Sequence, residues 1–268
     1  MSDNRHALAL FGHPVKHSLS PDIHQQFAKQ FGLKIDYQLI DVEAEDFLQE
    51  MIAFFHAGGI GANVTLPHKQ QAINVVTHVS EFATKANAVN ILYLNDALEI
   101  CADNTDGKGF IRDLNTRCDF NVKDKKILIL GAGGATQGIV PELMAQKPVE
   151  LIVANRTLNK AKKITTYKNS KAVDFEQLYN NTQVYDLIIH ASSLGHQGQS
   201  LGFEKQHCHQ NTLCYDLSYG KVALPFLSHA SRLGVCRRYD GIGMLIEQAA
   251  LSFEIWFGLK PETKTIKI

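Results

Sequence analysis

The chain has 268 residues, 27 Lys and Arg against 27 Asp and Glu, and so a formal net charge of zero. That balance, with no basic run, argues against nucleic-acid or membrane-surface partners and in favour of small molecules. The length exceeds that of a usual single core, so two domains are expected, each with room for its own.

Taken in order, the chain opens with a strand, Ala7 to Gly12, and then His13-Pro14-Val15-Lys16-His17-Ser18-Leu19-Ser20-Pro21. Pro21 fits the first turn of a helix, Ser20 its N-cap, and Ile23, Phe27 and Phe31 its buried stripe. In an extended entry Ser18 and Ser20 point the same way, and two hydroxyls at a helix start suit a carboxylate; a cap and a filled turn explain them equally well. A strand over Tyr37 to Val42 and a helix over Phe47 to Phe55 lead to Gly58-Gly59 and a third strand, Gly59 to Thr65, where Asn63 and Thr65 share a face. Pro67 then opens a helix with Lys69 in its first turn, where the positive dipole end eases loss of the lysine proton. A flexible exposed lysine is the plainer account. Val89 to Leu94 and Ala97 to Cys101 flank a hairpin turn at Asn95-Asp96, with Asn90 on the first strand. Asp106 opens the next helix, which runs to about Arg117; a carboxylate complementing the dipole needs no further role.

Lys125 to Gly138 is the stretch around which the second half is organised. Ile127 to Leu130 is apolar without alternation, as in a parallel strand buried on both faces. Gly131, Gly133 and Gly134 follow at once, a turn that lets backbone N–H groups and a helix start meet a pyrophosphate. Thr136 stands where the dinucleotide template asks for Gly or Ala, so a glycine-rich turn without a ligand stays open. The next apolar run, Val149 to Ala154, ends at Asn155-Arg156-Thr157 with Lys160 beyond, and the acid that would hold an NAD ribose is missing. A guanidinium beside an ammonium suits a 2′-phosphate, which selects NADP; a solvated arginine beside a helix cap is the alternative.

Strands over Val184 to His190 and Leu213 to Leu217 continue an alternation of strand and helix that implies a parallel sheet. A helix over Ala223 to Leu233, a strand over Val235 to Tyr239 and a long helix from Asp240 through Trp256 complete the chain, with Gln248 one turn after Met244. His207, Cys208 and His209, with His196 near in sequence, lack a second ligand pair at zinc spacing and read as a solvated loop. The five cysteines are odd in number with no C-x-x-C pair, which points to reduced thiols. No stretch approaches the roughly 18 apolar residues of a membrane span and no signal pattern is seen, so a cytoplasmic location is expected.

Taken together, Gly12 with His17-Ser18-Leu19-Ser20-Pro21, Gly61 to Lys69, Asn104-Thr105-Asp106-Gly107, Gly131 to Ala135, Asn155-Arg156-Thr157 and Asp240 to Ala249 resemble the shikimate dehydrogenase family over nearly the whole chain. The resemblance implies an α/β protein. A substrate domain would comprise residues 1–104 with 241–268, an NADP-binding Rossmann-like domain residues 105–240, and the active-site cleft would lie between them. It implies NADPH-dependent reduction of 3-dehydroshikimate to shikimate by a monomer or homodimer. Lys69 and Asp106 would be the catalytic pair, Ser18 and Ser20 would hold the substrate carboxylate, and Asn63, Thr65, Asn90, Tyr219 and Gln248 would complete the substrate site. Gly131, Ala132, Gly133, Gly134, Ala135, Asn155, Arg156, Thr157, Lys160, Leu217, Gly241 and Met244 would hold the cofactor.

The chain departs from the family pattern at Asn87 and Ile91, where Gly and Thr are usual, and at His190-Ala191-Ser192-Ser193, where Asn-Ala-Thr-Ser is usual. Gln137, Lys160 and His196 depart as well, so nicotinamide contacts are open and NADP binding is expected to be weaker than typical. A quinate enzyme using NAD, a related reductase with another substrate, and a silent NADP- or shikimate-binding regulator are the other readings. The missing acid after Ala154 speaks against the first, and intact Lys69 and Asp106 against the others.

Overall fold

The computed structural model describes residues 5–268, and the side chain of His196 also lies outside the described residues. Two compact units divide the chain: residues 1–109 with 245–268, and residues 110–244.

The first unit carries β1 (His6–Gly12), α1 (Ser20–Gln30), β2 (Ile35–Asp41), α2 (Phe47–His56), β3 (Gly59–Val64), α3 (Gln71–Val75), β4 (His78–Val79), α4 (Glu81–Ala86), β5 (Ile91–Leu94) and β6 (Ile100–Asp103). Its six strands form one sheet in the order β2-β1-β3-β5-β6-β4. β1 runs parallel to β2 and β3, while β5 is antiparallel to β3 and β6. Successive residues of β1 serve opposite faces. Ala9 and Phe11 pack with Phe47, Met51 and Phe54 of α2, whereas Leu8 and Leu10 pack with Ile23, Phe27 and Phe253. That is the two-faced burial a parallel central strand requires.

The second unit carries β7 (Lys126–Leu130), α6 (Gly134–Ala145), β8 (Glu150–Ala154), α7 (Leu158–Ile164), β9 (Ser170–Val173), α8 (Phe175–Tyr179), β10 (Tyr185–His190), β11 (Cys208–Asp216), α9 (Leu224–Arg232) and β12 (Arg237–Tyr239). Its sheet is parallel throughout, in the order β12-β11-β10-β7-β8-β9. Strand order reverses between β7 and β10, the switch point of a doubly wound fold. Ile127 and Ile129 enter one core layer, Leu128 and Leu130 the other. Two further helices, α5 (Asp106–Thr116) and α10 (Ile242–Phe257), stand at the points where the chain passes from one unit to the other.

Several expectations are corrected. The N-cap of α1 is Leu19, with no side-chain cap bond, so Ser20 is the first helical residue rather than the cap. Phe31 is 37% exposed and lies outside the buried stripe. Residues 66–70 form a turn and α3 starts only at Gln71, so Lys69 precedes the helix and its dipole has no claim on the ammonium. The β5–β6 connection is longer than a two-residue turn: Asn95 N–H bonds the Glu99 carbonyl and Leu98 takes φ 60. The strand β9 and the helix α8 precede the strand expected from Val184, in a stretch for which no element was expected.

His207 is wholly buried, its Nε2 within 3.0 Å of the Leu178 carbonyl and 2.9 Å of the Asn181 carbonyl, so the polar segment there is not a solvated loop. No group of three His, Cys, Asp or Glu suited to a metal occurs among the described residues. The five cysteines are free. No helix among the described residues is long and apolar enough to cross a membrane.

Candidate active site

In the first unit a buried amide bed holds one ion pair. Lys69 Nζ lies 2.6 Å from Asp106 Oδ2, the lysine side chain 20% exposed and the aspartate 9%. Asn90 Nδ2 donates to the other oxygen, Asp106 Oδ1, at 2.9 Å, and also faces Thr105 Oγ1 at 2.9 Å and Gln248 Oε1 at 3.2 Å. Asp106 is held in turn by its own N–H, which donates to Asn104 Oδ1 at 2.9 Å, and it opens α5, where the helix dipole favours a carboxylate. Lys69 is fixed through the main chain, its carbonyl accepting Val89 N–H at 2.8 Å. The neighbouring His68 is buried, stacks on Phe47 with ring centroids 4.6 Å apart, and binds the Val42 carbonyl at 2.8 Å. The ammonium therefore projects from an anchored turn, with one of its three N–H groups on Asp106 and two left for a ligand.

Asn63, at the end of β3, is 4% exposed and almost saturated by protein. Its Nδ2 donates to the Asn90 carbonyl and to Ser252 Oγ, both at 3.1 Å, and its Oδ1 accepts Tyr37 Oη–H at 2.8 Å. Thr65 is half-buried just beyond β3, and its methyl would collide with a Cβ on Gly12, so Gly12 is required there. The entry to α1 is not extended: Leu19 takes φ -86 and ψ -2, and it is this bend that brings the Ser18 and Ser20 hydroxyls within 3.1 Å, with Ser18 Oγ also accepting Ser20 N–H at 3.2 Å. Gln248 is 8% exposed and meets Asn90, so α10 returns its polar residue to this bed rather than to solvent. Sequence reasoning missed Tyr37, His24, His68 and Ser252. Burial pushes the Tyr37 phenol up, and it stacks on His24 with centroids 4.8 Å apart. Both His24 nitrogens are buried without a hydrogen-bond partner among the described residues. Burial, partly offset by the neighbouring Asn63 amide, pushes the His24 ring down to about 3. Asn87, where the family pattern has Gly, takes a left-handed φ of 46, which Asn tolerates better than most side chains.

The second unit offers the cradle. Gly131 takes φ +115, and a Cβ there would stand 2.6 Å from the Ala191 carbonyl, so only glycine fits. Nothing lies within 4 Å of a Cβ on Gly133 or Gly134, and Gly133 is the N-cap of α6 with no side-chain cap bond, leaving the first N–H groups of the helix available to a pyrophosphate. Thr136 departs from the template for a visible reason: its buried hydroxyl donates to the Gly131 carbonyl at 2.9 Å and ties the turn to the helix. Asn155 Nδ2 bonds the Thr157 carbonyl at 2.9 Å, while Arg156, Thr157 and Lys160 are exposed at the end of β8 and the start of α7. Thr157 stands at the N-cap without a cap bond. These residues therefore fit a phosphorylated dinucleotide: open glycines, uncapped helix donors, and two exposed cations where an acid would select NAD. Gly241 belongs against Leu217, whose carbonyl would collide with a Cβ on it, and Met244 N–H donates to Tyr215 Oη at 3.3 Å. Tyr219 is half-buried in this unit, and burial raises its phenol.

Comparison with known proteins identifies the family. The model described as shikimate dehydrogenase substrate binding domain matches residues 10–92, that described as shikimate/quinate 5-dehydrogenase residues 114–217, and that described as the shikimate 5′-dehydrogenase C-terminal domain residues 241–267. A curated shikimate dehydrogenase (NADP(+)) from Legionella pneumophila strain Philadelphia 1 is 42% identical over 260 residues, 96% of each chain. One of the same name from Aeromonas salmonicida is 40% identical over 261 residues, 96% of this chain and 94% of the relative. Among solved structures, an Ael1 enzyme from Pseudomonas putida superposes with a TM-score of 0.89 at 33% identity, over 97% of this chain and 96% of that one. The Thermus thermophilus shikimate 5-dehydrogenase solved with NADP(H) and shikimate gives 0.85 at 28%, over 97% and 96%. The chain belongs to the shikimate dehydrogenase family.

Proposed function

We propose that this chain is an NADP-dependent shikimate dehydrogenase that reversibly reduces 3-dehydroshikimate to shikimate, the step that serves chorismate and aromatic amino-acid synthesis. Full-length relatives of that name at 40 to 42% identity support the activity. The observation that carries the residue assignment is the 2.6 Å contact of Lys69 with Asp106 inside a bed of buried amides.

Reduction of a ketone needs a hydride at carbon and a proton at oxygen as negative charge develops there. NADPH supplies the hydride when bound. Lys69 directs a free N–H at the carbonyl oxygen, stabilises the developing alkoxide and delivers the proton; Asp106 orients the ammonium and exchanges the proton. In oxidation the direction reverses and Lys69 is the base. Ser18 and Ser20 hold the substrate carboxylate. Thr65, Asp106 and Gln248 take its hydroxyls, and Asn63 and Asn90, whose amides are largely committed to protein partners, chiefly fix the bed and offer remaining lone pairs.

The glycine turn over residues 131–135 cradles the pyrophosphate, and Asn155, Arg156, Thr157 and Lys160 hold the 2′-phosphate. Leu217, Gly241 and Met244 border the nicotinamide side. On this reading the unit of residues 1–109 with 245–268 carries the Lys69–Asp106 pair and the substrate groups around it, and the unit of residues 110–244 serves the cofactor, in a cytoplasmic monomer or homodimer. The test is absorbance at the nicotinamide band: NADP and shikimate generate reduced cofactor, while quinate with NAD does not. Turnover of quinate with NAD and not of shikimate with NADP would overturn the assignment.

A further inference from the structure

The neutral chain conceals an uneven charge. The second unit holds 17 Lys and Arg against 11 Asp and Glu, a net +6, and the rest of the chain holds the balancing −6. The whole of that excess sits in one stretch. Between Glu150 and Asp174 stand Arg156, Lys160, Lys162, Lys163, Lys168 and Lys171 and no acid, while the remainder of the unit has 11 charges of each sign. All six are exposed, and among the described residues none of their side chains forms an ion pair. The acids that bound the stretch are engaged: Asp174 Oδ1 caps α8, accepting Gln177 N–H at 2.8 Å, and Glu150 accepts the Gln183 amide.

Local structure gathers these charges at one edge of the unit. α7 turns Ala161 and Ile164 into the core, which leaves Lys160, Lys162 and Lys163 to solvent. Lys160 and Lys163, three residues apart, are neighbours on the helix surface, about 4.5 Å apart along its axis. Lys168 follows in the connection from α7 to β9. β9 is the edge strand, paired only with β8, and its last residue adjoins the Arg156 segment, since Asn155 N–H donates to the Val173 carbonyl at 3.1 Å. Lys171 lies two residues before Val173, about 7 Å along the strand. Of the six cations, Arg156 and Lys160 are assigned to the 2′-phosphate; the other four have no role in that contact.

Like charges at helical spacing weaken a helix, so stability does not account for the cluster. A protein of zero net charge exerts little pull on a distant anion. Within a screening length, about 8 Å at physiological salt and about 20 Å at about 20 mM, the local excess governs instead. NADPH arrives with about four negative charges, two on the pyrophosphate and up to two on the 2′-phosphate. NADH lacks the 2′-phosphate and is pulled less.

We propose that Lys162, Lys163, Lys168 and Lys171 form an electrostatic approach to the cofactor site that speeds capture of NADPH, in preference to NADH, without touching it once bound. This rests on the NADP reading above.

The test is stopped-flow measurement of NADPH association and dissociation by cofactor fluorescence at about 20 mM and about 0.5 M salt, between which the screening length falls to about 4 Å. Replacing all four lysines by Gln lowers the association rate constant about 3- to 10-fold at low salt. Dissociation stays within about twofold of the parent, because charges outside the contact act on the encounter. The difference disappears at high salt, and NADH association changes by less than that of NADPH. Replacing the same four by Arg retains the parent rate. Gln at Lys123, Lys125, Lys126 and Lys147, which flank the amino end of β7, removes as much charge and leaves association within about twofold. The melting temperature of the four-Gln variant is no lower than that of the parent, since only like-charge repulsion is removed. Unchanged association in that variant, a loss expressed in dissociation, or an equal loss from the Lys123, Lys125, Lys126 and Lys147 set overturns the proposal and leaves the activity standing. Failure of the parent protein to bind NADPH at either salt overturns the cofactor reading itself.

Discussion

Asn90 Nδ2 lies 2.9 Å from Asp106 Oδ1, on the carboxylate oxygen that Lys69 leaves free. One amide thus fixes the aspartate that fixes the lysine, while its own oxygen accepts Thr105 N–H at 2.8 Å. Asn90→Ala should therefore affect folding and chemistry together. Stripping partners from buried polar groups costs about 1–3 kcal/mol in chemical denaturation. The loosened Asp106 lowers turnover by about 10- to 100-fold in steady-state kinetics. Wild-type turnover in a folded Asn90→Ala variant would show that Asp106 needs no such support.

Arg156 is exposed at the end of β8, where no acid is available for a ribose hydroxyl. Arg156→Ala is expected to raise the Michaelis constant for NADPH by about tenfold or more and that for NADH by less than about twofold, since only NADPH carries the charge the guanidinium meets. Equal effects on the two cofactors would remove Arg156 from the 2′-phosphate site.

Gly131 combines φ +115 with a would-be Cβ 2.6 Å from the Ala191 carbonyl. Gly131→Ala meets both a backbone penalty and a clash against main chain, and a loss of about 1–3 kcal/mol is expected. Gly133→Ala has open space instead, so its effect should fall on NADP affinity and not on the melting temperature. Matching melting temperatures for the two variants would contradict this division.

His24 makes a pH prediction. Burial holds its folded pKa at about 3, below the unfolded value of about 6.5. The unfolded chain therefore binds the extra proton between those values. The stability from keeping His24 neutral is complete above about pH 6.5 and declines as pH falls toward 3, by about 2 kcal/mol at pH 5. Denaturation of the protein and of His24→Phe across pH 4.5 to 7.5 checks it. The variant should show a shallower acid limb whatever its absolute stability, and parallel limbs would refute the assignment.

Much of this was legible in the sequence because the signals were local. The two-faced apolar runs Ile127 to Leu130 and Val149 to Ala154, the glycines between them, and Pro21 at a helix start each specify their own geometry. Ser18 and Ser20 do meet, but through the bend at Leu19 and not the extended entry that the alternation assumed. What was not legible depends on contacts across the fold. Tyr37 and Ser252 hold Asn63 from β2 and α10, and no spacing announces such a link. His207 looked solvated because its neighbours in sequence are polar, yet carbonyls from residues 178 and 181 bury it. Lys69 was placed in a helix because Pro67 so often begins one; the chain instead turns through residues 66–70, and His68 packing on Phe47 anchors that turn.

The most direct test of the account is the turnover number of Lys69→Ala with shikimate and NADP at saturation. A fall of about 10²- to 10⁴-fold is expected, with Michaelis constants within about threefold of the parent, because the ammonium acts on charge that develops only in the transition state. A turnover number near that of the parent would mean that another group moves the proton and that the Lys69–Asp106 pair is not the catalytic centre.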